Sequence, residues 1–325
     1  METKGTLEKG LDEKVYTDVG QTFQVLQKEL GKVVVGQKDT VEHLLIALLC
    51  DGHALLEGFP GLGKTMIVST LSKLLDLKFS RIQMTPDLMP SDITGTYLIE
   101  ERDGKKVFRF EMGPVFANIV LADEINRATP KAQSALLEAM QEKQVTVGNE
   151  TYRLDRPFFV LATQNPIEME GTYPLPEAQL DRFLLKIHVG YPTMEEEDRI
   201  VEMHTTPMVV SVQKVLDKPT LLSLQRLTKQ MPISKEMKAM ALKIVAATRA
   251  SNPSIEYGAS PRASIGLVLS AKARALLGGR NYVSPEDIKA MAYPVLRHRI
   301  ILTFDADRKG ITQDAVVKGI IENLK

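Results

Sequence analysis

LLEGFPGLGKT, residues 55–65, is the part of this 325-residue chain from which the architecture is most readily predicted. Its last eight residues contain three glycines and one proline, and they end with Lys64 and Thr65. They match the pattern G-x-x-x-x-G-K-[ST], a loop between a strand and a helix whose backbone N–H groups cradle phosphates. A strand-like run, ALLE (54–57), precedes the loop and a helical pattern follows it. The alternative is an ordinary strand-to-helix turn with a surface lysine.

The chemistry of the loop assigns roles to its residues. Glycine lets the backbone fold closely around an anion, and the N-terminus of the next helix adds a favourable dipole. The Lys64 amine would reach the β- and γ-phosphates of a nucleotide, and the Thr65 hydroxyl would bind Mg²⁺. The predicted contacts are Gly58, Pro60, Gly61, Leu62, Gly63, Lys64, Thr65 and Met66.

Short apolar segments alternate with helical patterns around this loop. Helical periodicity covers 64–75 and 131–142. Strand-length apolar segments separated by helices predict a mostly parallel sheet covered on both faces, an α/β fold with three layers. The five predicted strands are 54–57, 79–84, 118–123, 158–163 and 184–189.

Polar side chains follow two of these strands. Asp123 and Glu124 come directly after one apolar strand, and Asn165 lies just beyond the next. Ligands bind at the carboxyl ends of strands in open α/β sheets. Asp123 suits the Mg²⁺ shell, Glu124 can polarise a water, and Asn165 can hydrogen-bond that water or the γ-phosphate. The alternatives are a solvated loop for the acidic pair and a turn asparagine for Asn165.

A second, helical domain is predicted after residue 191. Helix starts are indicated by the capping box Thr193–Glu196, by Ser234, by Ser260–Pro261 and by Ser284–Pro285. We therefore divide the chain into a leader and helix (1–30), an α/β nucleotide-binding domain (31–191) and a helical domain (192–325). Residues 1–20 are polar and indicate a frayed leader, with a helical pattern starting near Thr22.

Composition excludes several classes of protein. Lys and Arg number 41, as do Asp and Glu, and this neutrality argues against a phosphate-backbone binder. The single cysteine excludes an internal disulfide framework, and Cys50 itself reads as a buried structural thiol rather than a reactive one. Without a signal peptide or an apolar run of membrane-spanning length, the chain is expected to be cytoplasmic.

The order of these motifs resembles that of AAA+ ATPases, and more narrowly of the MoxR family. In those terms 58–65 is Walker A, 119–124 is Walker B and Asn165 is sensor 1. The resemblance extends over nearly the whole chain after residue 30, and the long central blocks are more specific than the phosphate loop. Its blocks are VVVGQ (33–37), LLEGFPGLGKT (55–65), LADEINRATPKAQSALLEAMQEKQVTVG (121–148), ATQNPIEMEGTYPLPEAQLDRFLLK (162–186), GASPRA (258–263) and VLRHRI (295–300).

The resemblance implies a function and further site residues. It implies Mg²⁺-ATP hydrolysis at the subunit interfaces of a homo-oligomeric ring, a hexamer, that remodels protein clients. A partner with a von Willebrand factor A domain is also implied. Arg182 would be the arginine finger of a neighbour's site, and Arg262 would be sensor 2, in its own or the neighbouring subunit. Val35, Gly36 and Gln37 would line the adenine pocket.

Two hairpins are predicted as insertions, near 85–117 and 143–157, with turns at Asp103–Gly104 and Gly148–Asn149. The resemblance implies that both face the pore of a ring; ordinary surface hairpins are the alternative. Nearby Met84, Met89 and Met112 fit either an adaptable contact surface or the core.

The sequence also leaves two alternative functions open. A basic hairpin carrying Lys105, Lys106 and Arg109 would suit a nucleic-acid-remodelling ATPase. A nucleotide-bound switch or scaffold with slow hydrolysis would share every binding residue. Arg127 and the run Arg297–Arg299 are expected to be surface charge or intersubunit contacts.

Overall fold

The structure is a computed structural model that describes residues 13–59, 61–103, 105–166, 171–206, 211–250 and 252–324. Pro60, one of the predicted phosphate contacts, lies outside the described residues. The strands are β1 Ala54–Gly58, β2 Phe79–Gln83, β3 Gly95–Arg102, β4 Lys105–Met112, β5 Ile119–Asp123, β6 Gln144–Val147, β7 Glu150–Arg153, β8 Phe159–Gln164, β9 Leu185–Val189, β10 Ile255–Tyr257 and β11 Ile301–Leu302. The helices are α1 Glu13–Leu30, α2 Lys38–Leu49, α3 Lys64–Leu74, α4 Pro90–Thr94, α5 Pro130–Glu142, α6 Glu177–Leu180, α7 Met194–Thr205, α8 Lys218–Gln230, α9 Lys235–Ala247, α10 Pro261–Leu277, α11 Pro285–Leu296, α12 Phe304–Arg308 and α13 Gln313–Glu322.

The central sheet has five strands in the order β2-β5-β8-β1-β9, and every neighbouring pair is parallel. Its strands are buried on both faces. Leu121 and Leu161 pack on the side of α3, while Val120 and Ala162 pack on the side of α5. The predicted three-layer α/β fold is therefore confirmed, because strands apolar on both sides require helices on both faces.

The predicted helix starts after residue 191 are also confirmed. Thr193, Ser234, Ser260 and Ser284 each accept a hydrogen bond from a backbone N–H of the helix that they cap. These residues satisfy otherwise unpaired N–H groups of the first turn. The helical region also contains the short antiparallel pair β10–β11, which the sequence patterns did not indicate.

Helix α1 begins earlier than expected. The sequence indicated a frayed leader up to about residue 20, but α1 starts at Glu13, and Tyr16 is buried. A Cβ at Gly20 would lie 2.7 Å from the Cα of Gly279, so the two backbones pack directly. The error has a physical reason: the surface that covers this part of α1 is distant in the sequence, so the local pattern gave no sign of its burial.

Both predicted hairpins are present, as β3–β4 and β6–β7. They pack against each other: the Phe110 and Tyr152 rings stack at 4.2 Å, and the Tyr97 and Tyr152 hydroxyls are 2.9 Å apart. Further along the same face of β3–β4, the paired side chains Ile99 and Phe108 are 61% and 69% exposed. The hairpin thus presents apolar side chains beyond its supported base.

The methionines and the cysteine of this region differ in burial. Met84 is fully buried and belongs to the core, whereas Met89 and Met112, the last residue of β4, are exposed, and their use as a contact surface stays a prediction. Cys50 is buried at the end of α2, and burial raises the pKa of its thiol to about 12. The thiol therefore stays protonated and unreactive, as predicted.

The run Arg297–Arg299 does not form a charged surface, so the expectation of surface charge was wrong, while an intersubunit contact stays a prediction. The Arg299 guanidinium is buried. It donates hydrogen bonds to Asp181 and to the backbone oxygens of Phe183 and Leu184. His298 donates through Nε2 to Phe183 O at 2.9 Å. These groups fix the helical region to the segment that leads into β9, because buried donors require partners.

Within the described residues, no helix is both long and apolar enough to cross a membrane.

Candidate nucleotide site

The phosphate loop, residues 58–65, joins β1 to α3 at the carboxyl edge of the sheet. Gly61 and Gly63 have φ values of 83° and 70°, a region that favours glycine, and Gly63 caps α3. A Cβ at Gly61 would meet no atom within 4 Å, so the space beside this glycine is open. This is the backbone geometry that an anion site at a helix N-terminus requires.

Lys64 points back across the loop. Its Nζ donates to the backbone oxygen of Gly58. Burial lowers the pKa of Lys64, while the negative charges of Asp123, Glu124 and Glu57 act in the opposite direction. The amine therefore lies at the carboxyl end of β1, on the edge of the sheet where Asp123 ends β5.

Thr163 holds these two acidic residues in place. Its Oγ1 donates to Asp123 Oδ1 at 2.6 Å and accepts from the Glu124 backbone N–H at 2.8 Å. Glu124 adopts left-handed backbone angles, φ 59° and ψ 53°, before the short 3-10 helix at 125–127. Such angles are strained for a residue with a side chain and occur often at functional sites.

Three further side chains contact the acidic pair. Arg81 donates to Asp123 Oδ2 from Nη2 at 2.6 Å, Gln83 donates to Glu124 Oε2 at 3.0 Å, and Arg127 donates to the same oxygen at 3.0 Å. Arg127 is thus an ion-pair partner of Glu124 rather than an unrelated surface charge.

Arg81, Gln83 and Thr163 were not singled out from the sequence. Arg81 and Gln83 alternate along β2, and the strand register pairs Gln83 with Asp123. Alternation places both side chains on one face of the strand. Only the order of strands in the sheet shows that these side chains lie next to Asp123 and Glu124. Asn165, which was singled out, is buried one residue beyond β8.

A cavity of about 360 Å³ lies beside the phosphate loop. Such a volume is within the range of small-molecule sites. The cavity is bounded by the expected Val35 and Gln37, and by Gly61, Leu62, Gly63 and Met66 of the loop and α3. Val35 and Gly36 also line an adjoining cavity of about 390 Å³.

The far wall of this cavity was not predicted. It consists of Tyr191 and Pro192, with Ile200, Met203 and His204 of α7. The Tyr191 ring stacks on Phe59 of the phosphate loop with centroids 4.9 Å apart. An apolar pocket next to a phosphate loop matches the two-part chemistry of a nucleotide, a flat base and a charged tail.

Arg182 and Arg262 lie apart from the phosphate loop. Arg182 follows α6, donates to Leu137 O of α5 at 3.1 Å and lines a small polar cavity on that helix. Arg262 is 3.6 Å from Asp181 Oδ2. In the part of the chain that the structure describes, no contact joins either arginine to residues 58–65 of the same subunit.

The donor chemistry fits Mg²⁺ with a nucleotide. The Thr65 hydroxyl at the start of α3 and the Asp123 carboxylate at the end of β5 are hard oxygen ligands, which Mg²⁺ prefers. Mg²⁺ sites in phosphate-using proteins commonly combine one or two such protein oxygens with phosphate oxygens. The structure therefore brings together the loop, the acidic pair and residues 35–37, and leaves the two arginines elsewhere.

Comparison with known proteins agrees with this geometry. Residues 53–185 match the ATPase family associated with various cellular activities (AAA), and residues 247–320 match the AAA lid domain. The chain is 45% identical over 305 residues to Chaperone MoxR1 of Mycobacterium tuberculosis, covering 91% of this chain and 80% of that protein.

Two further proteins are similar over almost their whole length. YeaC of Bacillus subtilis is 46% identical over 299 residues, covering 92% of each chain. A crystal structure of a candidate ATPase from Cytophaga hutchinsonii has a TM-score of 0.89 and 46% identity, and the match covers 96% of this chain and 97% of that one.

Proposed function

Because this chain belongs to the MoxR family of AAA+ ATPases, we propose that it binds Mg²⁺-ATP and hydrolyses it to drive chaperone-like work on protein clients. The observation that carries the proposal is that the phosphate loop follows β1 and the acidic pair follows β5 at the same carboxyl edge of one parallel sheet, where only β8 separates the two strands. The residues proposed to bind phosphate and the residue proposed to activate water then lie at the same edge of the sheet, as hydrolysis of a nucleotide requires.

Each residue of the site has a role in this proposal. The loop N–H groups and Lys64 bind and orient the phosphates, and Thr65 and Asp123 hold the metal ion. Bound Mg²⁺ would neutralise charge on the transferring phosphoryl group. Glu124 accepts a hydrogen bond from water and draws off its proton, with Gln83 fixing the carboxylate. Asn165 orients the water or the γ-phosphate.

Ring assembly is proposed from the position of Arg182. An arginine that stabilises phosphoryl transfer must reach the γ-phosphate. Arg182 lies against α5 instead, so it would serve the site of a neighbouring subunit. The six-membered ring and a partner with a von Willebrand factor A domain follow from family resemblance alone.

A protein client is favoured over nucleic acid by the β3–β4 hairpin. Its exposed pair, Ile99 and Phe108, offers apolar area that suits a polypeptide. Arg109 on the same hairpin is already paired with Glu100 at 2.7 Å, which reduces its availability to phosphates. The neutral net charge agrees with this preference.

Glu124→Gln tests the proposal. The amide keeps the size of the side chain but cannot take a proton, so we expect turnover to fall by about 10²–10⁴-fold with Mg²⁺-ATP binding retained. Phosphate release and binding of a fluorescent nucleotide are measured on the same protein. Glu322→Gln, an exposed change at the end of α13, is the matched control and should behave as wild type. Wild-type protein that binds Mg²⁺-ATP without hydrolysis, or a Glu124→Gln variant that turns over normally, would contradict the proposal.

A further inference from the structure

Arg81 forms an ion pair with the carboxylate proposed to hold the metal ion. Its Nη2 and Nε donate to Asp123 Oδ2 at 2.6 Å and 3.2 Å. The other carboxylate oxygen, Oδ1, accepts from Thr163 at 2.6 Å. Both oxygens of Asp123 therefore have partners from this chain.

The guanidinium is also tied to the neighbouring acidic residue. Arg81 Nη2 donates to Gln83 Oε1 at 2.9 Å, and Gln83 Nε2 donates to Glu124 Oε2 at 3.0 Å. Gln83 thus links the arginine on Asp123 to the residue proposed to activate water. Asp123 is connected to Glu124 through these three hydrogen bonds.

Strand geometry makes this contact a property of the fold. Arg81 lies on the edge strand β2, two residues before Gln83, and Gln83 pairs in register with Asp123 on β5. Side chains two apart on a strand share a face. Arg81 therefore projects on the same face as Asp123 and reaches it along the strand direction.

The chemistry of this pair conflicts with metal binding. A guanidinium is a cation, as is the metal ion that Asp123 is proposed to hold. A divalent cation and a guanidinium on the same oxygen would repel each other. The Arg81 side chain is 48% exposed, so it can move into solvent without crossing the packed core.

We infer that Arg81 is a resident cation that occupies Asp123 Oδ2 until Mg²⁺-nucleotide displaces it, and that it thereby sets the Mg²⁺ concentration the site requires. This inference rests on the proposed function, in which Asp123 is a metal ligand. Displacement of Arg81 also releases its bond to Gln83, so arrival of the metal is communicated to Glu124. The site is then ordered for catalysis only when metal and nucleotide are both present.

Arg81→Gln tests the inference by removing the competing charge. EDTA-treated protein is incubated with a fluorescent, non-hydrolysable ATP analogue, and Mg²⁺ is titrated in while nucleotide fluorescence is followed. We expect the apparent dissociation constant for Mg²⁺ to fall by about three- to tenfold, because a partly exposed ion pair is of modest strength. The rise in thermal midpoint on adding Mg²⁺ and the analogue should also be larger than in wild type.

Two variants control for charge and shape. Arg81→Lys keeps a cation at the same place, and its Mg²⁺ requirement should lie closer to that of wild type than to that of Arg81→Gln. Arg226→Gln removes the same charge from an exposed position on α8, where the side chain contacts Ser223, and should leave the Mg²⁺ requirement unchanged.

The possible results are distinct. An unchanged or weaker Mg²⁺ affinity in Arg81→Gln, with fluorescence and thermal midpoints in agreement, overturns the inference. If wild type binds the analogue without any dependence on Mg²⁺, the proposed function itself fails at Asp123.

Discussion

Thr163 connects the two residues that the proposed chemistry needs most. One hydroxyl donates to the Asp123 carboxylate and accepts from the Glu124 N–H, so it fixes both the side chain of one residue and the backbone of the next. The hydroxyl is also buried. Removing it would leave the Asp123 carboxylate oxygen and the Glu124 amide hydrogen without this partner.

Thr163→Val is nearly isosteric and removes both hydrogen bonds. We expect the free energy of unfolding to fall by about 1–3 kcal/mol, because each lost partner leaves a polar group desolvated. ATP turnover should fall by about tenfold or more, since the acidic pair is no longer held in place. Urea unfolding and phosphate release measure the two effects.

Thr163→Ser is the matched control, since it keeps the hydroxyl and loses only a methyl group. Its turnover should stay well above that of the valine variant. Equal losses in both variants would assign the effect to packing and not to the hydrogen bonds.

At the residue scale, some residues of the candidate site could be predicted from the sequence and others became evident only from the structure. Lys64 and Thr65 were predictable because they belong to the phosphate-loop pattern, and Asp123 was predictable because it comes at the end of an apolar strand. Arg81 and Thr163 were not, because their roles depend on which strands are neighbours. The order of β2, β5 and β8 in the sheet brings them to Asp123.

Among the elements, β1 and β9 form a pair that carries charge next to the phosphate loop. Lys186 and His188 of β9 both contact Glu57 Oε2 of β1 at 2.9 Å. Burial works to raise the pKa of Glu57, but the hydrogen bond from His188 and the charge and hydrogen bond of Lys186 outweigh it and lower the pKa to about 2. The carboxylate therefore stabilises the folded state while it is ionised.

This arrangement predicts a pH dependence. Because folding lowers the pKa of Glu57 from 4.5 to about 2, its contribution is complete above pH 4.5 and is lost as the pH falls towards 2. Glu57→Gln should lower the free energy of unfolding by about 2–3 kcal/mol near neutral pH, with a smaller difference in acid. Urea unfolding from pH 3 to pH 7 measures the difference. A gap that is constant across this range would show that Glu57 does not titrate as described.

The elements themselves were largely predictable. The central strands and the capped helices appear where alternation, apolar runs and capping residues indicated them. Element boundaries and contacts made by distant segments were harder. Helix α1 extends back to Glu13 because tertiary packing covers it. Strands β10 and β11 pair because the fold brings residues 301–302 next to residues 255–257.

In the whole molecule, the helical region is fixed directly to the segment that carries Arg182. Arg299 Nε and Ser260 Oγ both donate to the Asp181 carboxylate, at 2.7 Å and 2.9 Å. Arg262 lies 3.6 Å from the same carboxylate. Movement of the helical region would therefore move the backbone beside Arg182, which the proposal assigns to a neighbouring subunit.

Mixing two inactive variants tests this shared site. Lys64→Ala removes the lysine that contacts phosphate in a subunit's own site. Arg182→Ala removes the arginine that the subunit would contribute to its neighbour's site. In rings formed from equal amounts of the two, about one quarter of the interfaces would combine an intact loop with an intact arginine, so about a quarter of wild-type turnover should return. Phosphate release is measured on mixtures whose assembly is verified by light scattering. Mixed assemblies that remain as inactive as either variant alone would remove support for action in trans.

The sequence by itself determined the phosphate loop, the parallel sheet and the acidic residues at its edge, because each depends on local spacing or on strand periodicity. Only the tertiary structure decided that Arg81 occupies Asp123, that Thr163 joins the acidic pair, and that His298 and Arg299 are buried against the segment before β9. The physical reason is common to all three. A charged or polar side chain takes its role from the partner that neutralises it, and here those partners come from strands and helices far away in the chain.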